Sequence, residues 1–138
     1  MPRRDTYHDI VKQALIREGW TITHDPYYFK TDPPLSTDLG AECLIAADRD
    51  QQKIAVEVKS FLAESQVVEL ERALGQYGLY KGFLEIQEPE RELYLAVPTN
   101  AFEDILSRQV GQYALQFFHV NLIVFSLSED QALLWKTL

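Results

Sequence analysis

Between positions 54 and 60 the chain reads Ile54-Ala55-Val56-Glu57-Val58-Lys59-Ser60. β-Branched residues recur at every second place, which is the period of a strand and not of a helix. Ile54, Val56 and Val58 therefore point to one side of a sheet, and Ala55, Glu57 and Lys59 to the other. The second face sets an acid beside a base. On these residues alone two readings stand open: one metal-and-phosphate site, or an ordinary solvated face.

The surrounding chain limits the choice. Its 138 residues fit a single domain, 1–138, with enough length for a real core. Apolar residues are 46% and charged residues 25%, which is globular usage and argues against disorder. The 13 basic residues against 21 acidic give a formal charge of −8, a poor match to a protein that grips nucleic acid by bulk charge. A nucleic-acid role then needs a local basic site, a metal or a partner. The single Cys43 excludes an internal disulfide framework and a multi-Cys zinc site. No apolar run reaches ~18 residues, so no membrane span is expected. Met1-Pro2-Arg3-Arg4-Asp5 is followed by no apolar stretch of a secretory signal, so the expected location is cytoplasmic.

The order of elements follows from periodicity and breakers. A first helix is expected from about Tyr7 to Glu18, capped by Asp5 or Thr6, with Ile10, Val11, Ala14 and Leu15 as its apolar stripe and Gly19 as its end. Trp20 to Thr23 reads as a short strand broken by His24-Asp25-Pro26. Tyr27 to Pro34 reads as a loop with an extended piece. Asp38 to Ala47 reads as a strand, with Leu39, Ala41, Cys43 and Ile45 on one side. After a polar turn it pairs with the opening strand as a hairpin. Ser65 caps a long helix from about Gln66 to Phe83, and Leu93 to Val97 is an apolar strand stopped by Pro98. Asn100 caps a short helix through Leu106, and another helical piece runs from Val110 to Phe118. Asn121 to Phe125 is a strand, and Ala132 to Trp135 a last one. The sum is a mixed α/β fold, a mixed central sheet flanked by helices.

The hairpin can bring Asp38 close to Glu57 and Lys59. Two carboxylates and the Val58 backbone carbonyl make a partial shell for Mg²⁺ or Mn²⁺, with waters and a phosphate oxygen to complete it. Such an ion polarises phosphorus and acidifies a bound water. Lys59 is suited to position that water or to neutralise charge on the phosphate. Glu42, on the face of Asp38 in a regular strand, is an alternative ligand unless a bulge at Gly40 turns it away. Gln76 and Tyr80 lie one turn apart and can bond a phosphate or order the lysine. Tyr77 between them reads as core. His8 and Lys12 share a helix face and can meet the patch, although a helix His is more often structural. His24 and His119 have no ligand spacing. Tyr27, Tyr28 and Phe29 are candidates for an exposed aromatic interface, including one between copies of the chain.

Helix, strand, strand with Asp38, strand with Glu57-Val58-Lys59, then helix with Gln76-x-x-x-Tyr80 resembles the PD-(D/E)XK nuclease superfamily, over roughly Tyr7 to Val97. That resemblance implies a restriction-endonuclease-like core. It also implies that Asp38 and Glu57 bind Mg²⁺ and that Lys59 is catalytic, and it ranks Asp38 above Glu42. The Gln76-x-x-x-Tyr80 helix resembles that of RecB-like members. Thr37 stands where the pattern has Pro, and there is no basic DNA-binding arm.

A second resemblance runs nearly the whole chain. Tyr7-His8, Gly19-Trp20-Thr21-Ile22-Thr23-His24-Asp25-Pro26, Asp38-Leu39-Gly40-Ala41-Glu42, Ala55-Val56-Glu57-Val58-Lys59-Ser60-Phe61 and Ala73-Leu74-Gly75-Gln76-Tyr77 look like the XisH family. The family implies control of excision of the fdxN DNA element, a programmed DNA rearrangement. It implies DNA, a site-specific recombinase and an XisI-like protein as partners. Two functions follow as expectations: a Mg²⁺-dependent nuclease, or a non-catalytic controlling factor that keeps the nuclease fold as scaffold.

Overall fold

A computed structural model of the chain describes residues 7–44, 51–62, 64–128 and 132–136, the side chains of 42–44 and 51 excepted. Helix α1 (His8–Arg17) buries Val11, Ala14 and Leu15, the stripe its spacing requires. It starts from Tyr7 without a side-chain cap; Asp5 and Thr6, the expected caps, lie outside the described residues. Its end is fixed by Gly19 at φ 95°, where the Gly19 and Trp20 amides bond back to the Ile16 and Leu15 carbonyls.

Strand β1 (Thr21–His24) leads into a hairpin that the sequence reading leaves as a loop. β2 (Tyr27–Phe29) and β3 (Leu35–Thr37) pair antiparallel as a separate two-stranded sheet. Asp32-Pro33-Pro34 serves as its turn. Alternation along β2 sends Tyr27 and Phe29 inward and leaves Tyr28 63% exposed. The expected aromatic interface therefore loses two of its three residues to the core: Phe29 stacks on Tyr80 at 5.2 Å.

β4 (Leu39–Leu44) pairs antiparallel with β1 and with β5 (Gln51–Val58), as the hairpin reading requires. The register through Gly40 is regular on β4, and the irregularity lies on β1 between Ile22 and His24. Ser65 caps α2 (Gln66–Gln87), its hydroxyl oxygen accepting from the Val68 amide at 3.3 Å. α2 runs a turn beyond the predicted Phe83, because Leu84 still packs inward. It returns the chain to β6 (Arg91–Pro98), parallel to β5.

A second crossover joins β6 to β7 (Leu122–Phe125), again parallel, through α3 (Thr99–Ala101), a wider π-helical turn (Phe102–Leu106) and α4 (Gln109–Phe117). The predicted Asn100 cap is not used. Thr99 opens the helix instead, and its hydroxyl donates to the Phe125 carbonyl at 3.1 Å. β8 (Leu134–Lys136) closes the edge antiparallel to β7.

The main sheet has six strands in the order β1-β4-β5-β6-β7-β8, a mixed α/β architecture as predicted. α1 covers one face, with Val11 and Leu15 among Leu39, Ile54, Val56 and Ile123. α2, α4 and the β2–β3 hairpin cover the other, over Ala55, Leu93, Leu95 and Leu122. Tyr77 is core, as read: its hydroxyl donates to the Leu93 carbonyl and accepts from the Asn121 amide, each at 3.0 Å. Buried Arg91 knots hairpin, helix and sheet together. It donates to Glu88 at 2.7 Å and to the Ile54 carbonyl at 2.9 Å, and lies over the Tyr27 ring, whose hydroxyl donates to the same Glu88. Among the described residues no helix is long and apolar enough to cross a membrane.

Candidate functional site

Two strand ends build the site. β5 finishes at Val58, so Glu57 and Lys59 stand at its C-terminal end, on the face that alternation gives them. Asp38 occupies the one-residue bend between β3 and β4, directly beside that end. Its Oδ2 accepts from the Val58 amide at 2.8 Å. The Thr37 hydroxyl lies 2.9 Å from Glu57 Oε1 and donates to it. Lys59 Nζ lies 3.7 Å from Glu57 Oε2. The three residues that sequence grouped across the hairpin are thus together in space.

Glu57 is buried, 7% exposed. Burial first, and then the Asp38 charge, push its carboxyl up to about 8. Lys59 and the Thr37 hydroxyl oppose that rise without cancelling it. Tyr80 on α2, buried and stacked on Phe29, has its phenol raised to about 12 by burial and then by the charges of Glu57 and Asp38. One turn earlier on the same helix, Gln76 has a buried Oε1 with no hydrogen-bond partner among the described residues.

α1 approaches from the other side. His8, 3% exposed, places Nε2 2.8 Å from Asp25 Oδ1 and Nδ1 3.6 Å from Asp38 Oδ1. Lys12 Nζ bonds Asp25 Oδ2 at 2.7 Å. His8 thus reaches the site, whereas the Lys12 ammonium is engaged by Asp25. Sequence reasoning missed Asp25 and Thr37. Asp25 reads as a chain breaker before Pro26, and only the i, i+4 pair of bases on α1 hints at an acid between them. Thr37 reads only as a departure from Pro, and nothing in the pattern marks its hydroxyl. The side chain of Glu42, the alternative ligand, lies outside the described residues.

The donor set fits a hard divalent cation. Two adjacent carboxyl groups, Glu57 raised by burial and then by the Asp38 charge, are groups whose ionised form a cation would favour. Among the described residues no three His, Cys, Asp or Glu side chains converge as a metal cage. A partial shell of two carboxylates completed by waters suits Mg²⁺ or Mn²⁺ rather than structural zinc.

Comparison with known proteins places these residues in a family context. The family model described as XisH protein matches residues 1–133. An XisH family protein from Nostoc punctiforme PCC 73102 is 34% identical, with a TM-score of 0.81 over 95% of this chain and 98% of that one. An fdxN element excision controlling factor protein from Anabaena variabilis is 36% identical, with a TM-score of 0.81 over 96% of this chain and 98% of that one. No curated protein matches the chain.

Proposed function

The chain belongs to the XisH family, and from that premise we propose that it controls excision of a DNA element through a divalent-cation-dependent phosphodiester-cleaving site of PD-(D/E)XK type. One observation carries the reading: Asp38, Glu57 and Lys59 meet at the joined ends of β4 and β5. Control of excision comes from the Anabaena variabilis relative's description.

Bound Mg²⁺ or Mn²⁺ supplies Lewis-acid polarisation of the phosphate and a more acidic water. Asp38 and Glu57 would hold the ion, with the Val58 carbonyl as a third donor. Lys59, 22% exposed at its side chain, is open enough to meet a phosphate and offset the charge that develops there. Tyr80 stays a protonated phenol at neutral pH, hence a hydrogen-bond donor. The unpartnered Gln76 Oε1 is an acceptor for a water or for the Lys59 ammonium.

A second reading, a regulatory protein that keeps the fold as scaffold, is favoured by a different observation. Val58 and Thr37 already bond the two carboxylates, so the site holds together by itself. Purified protein incubated with supercoiled plasmid and Mn²⁺ or Mg²⁺ separates the two. The nuclease reading expects nicking that falls at least about 100-fold in Lys59→Ala. Nicking that survives Lys59→Ala comes from elsewhere and sinks that reading; a wild type that binds Mn²⁺ yet cuts nothing supports the scaffold.

A further inference from the structure

On sequence alone His8 and Lys12 are candidates to touch substrate. In the fold both turn to Asp25 instead. They stand one turn apart on α1, and the Asp25 carboxylate spans them, one oxygen to each. The other His8 nitrogen faces Asp38. We propose that Lys12, Asp25 and His8 form a positioning chain that fixes the Asp38 carboxylate, with Asp25 as the residue that sets the His8 ring.

Three observations carry this. His8 is almost wholly buried and neither ring nitrogen makes a well-formed hydrogen bond, so its polar neighbours are the two acids, Asp25 at 2.8 Å and Asp38 at 3.6 Å. Its two nitrogens face two different acids, so a turn of the ring that improves one contact changes the other. Asp38 is held from the strand side through Oδ2 by the Val58 amide, and its Oδ1 is the oxygen nearest His8 on the helix side. At 3.6 Å the His8–Asp38 contact is too long for a hydrogen bond and acts through packing of the ring against the carboxylate. Outer groups of this kind orient a metal-binding carboxylate and tune its affinity, commonly by 10–100-fold.

A purely mechanical role is the competing account: Asp25 pins the β1–β2 connection onto α1. Such a pin changes stability alone. A positioning chain also changes Asp38 in protein that remains folded. The effect on ion affinity rests on the metal-site reading above; the effect on Asp38 does not.

The test uses the full chain and Asp25→Asn, which keeps side-chain size and removes the charge. The ¹³C signal of the Asp38 carboxyl is recorded without metal, and Mn²⁺ affinity is measured by titration calorimetry. The expected result is a moved Asp38 signal and about tenfold weaker Mn²⁺ binding in folded protein, both largely restored in Asp25→Glu. An unchanged Asp38 signal in folded Asp25→Asn overturns the proposal. If Asp25→Asn does not fold, Lys12→Met, which loosens Asp25 from its outer side, is read the same way. A wild type that takes no Mn²⁺ overturns the metal-site reading, and the Asp38 signal then decides the positioning chain alone.

Discussion

Glu57 carries a carboxyl into a place where burial and the Asp38 charge both oppose its ionisation, and where Lys59 and Thr37 only partly compensate. The unfavourable effects outweigh the favourable ones, so the metal-free fold is strained by the residue its proposed chemistry needs. Glu57→Gln keeps a carbonyl for the Thr37 hydroxyl and removes the ionisable group. Thermal melts of the metal-free protein should show it at least as stable as wild type, by up to about 1 kcal/mol, while metal-dependent nicking disappears. A clear loss of stability would mean that the Lys59 contact dominates after all.

Glu88 is the opposite case. The Arg91 hydrogen bonds hold its carboxyl down to about 2 from an ordinary 4.5. A lowered acid contributes stability that is complete above its ordinary value and is lost as pH falls through the lowered one. Melting temperatures should therefore drop between about pH 4.5 and 2, and Glu88→Gln should flatten that limb. The effect is modest, because the Glu88 side chain is a third exposed. Site residues differed in legibility for a related reason. Asp38, Glu57, Lys59 and Tyr80 sit at strand or helix spacings that a pattern can read. Asp25 enters through a loop, and its partners are visible only once α1 and the β1–β2 connection are placed.

Elements that bury a long apolar stripe or run were readable: β5, β6 and α2 are 8, 8 and 22 residues long, and α2 buries one face from Leu70 to Leu84. The three-residue strands β2 and β3 offer only one alternation each, and the prolines between them read as a loop. The π-helical turn before α4 left no mark in the pattern either, yet it dictates a glycine. A Cβ on Gly111 would lie 2.4 Å from the Ile105 carbonyl oxygen and 2.5 Å from Leu106 Cα, both backbone atoms that cannot swing aside. Around Gly78, on the outer face of α2, a Cβ would meet nothing within 4 Å. The two helical glycines should respond with opposite signs. Gly111→Ala should lose about 3 kcal/mol, and Gly78→Ala should gain about 0.5–1 kcal/mol from helix propensity. Urea midpoints at unchanged slope measure both. A mild Gly111→Ala would show that α4 can slide away from the turn.

Across the whole molecule, charge and fold point in different directions. The fold gathers a candidate phosphodiester site at one sheet end, but 21 acidic residues against 13 basic ones surround it with a field that repels a polyanion. Salt shortens that field to about 8 Å near physiological strength, so it weakens approach more than contact. Lys59 and one bound ion can compensate at the scissile phosphate but cannot supply the run of contacts that holds a duplex. On the function proposed above, DNA affinity is then expected from a second chain with a basic surface. Fluorescence anisotropy with duplex DNA at about 150 mM salt should find the isolated protein binding no tighter than about 10 μM. Adding a partner chain that carries a basic surface should tighten it, and lowering salt should help the pair more than the single chain. Submicromolar binding by the isolated chain, with a steep salt slope, would instead reveal a basic patch that the net charge conceals. In that case the protein would find its DNA unaided.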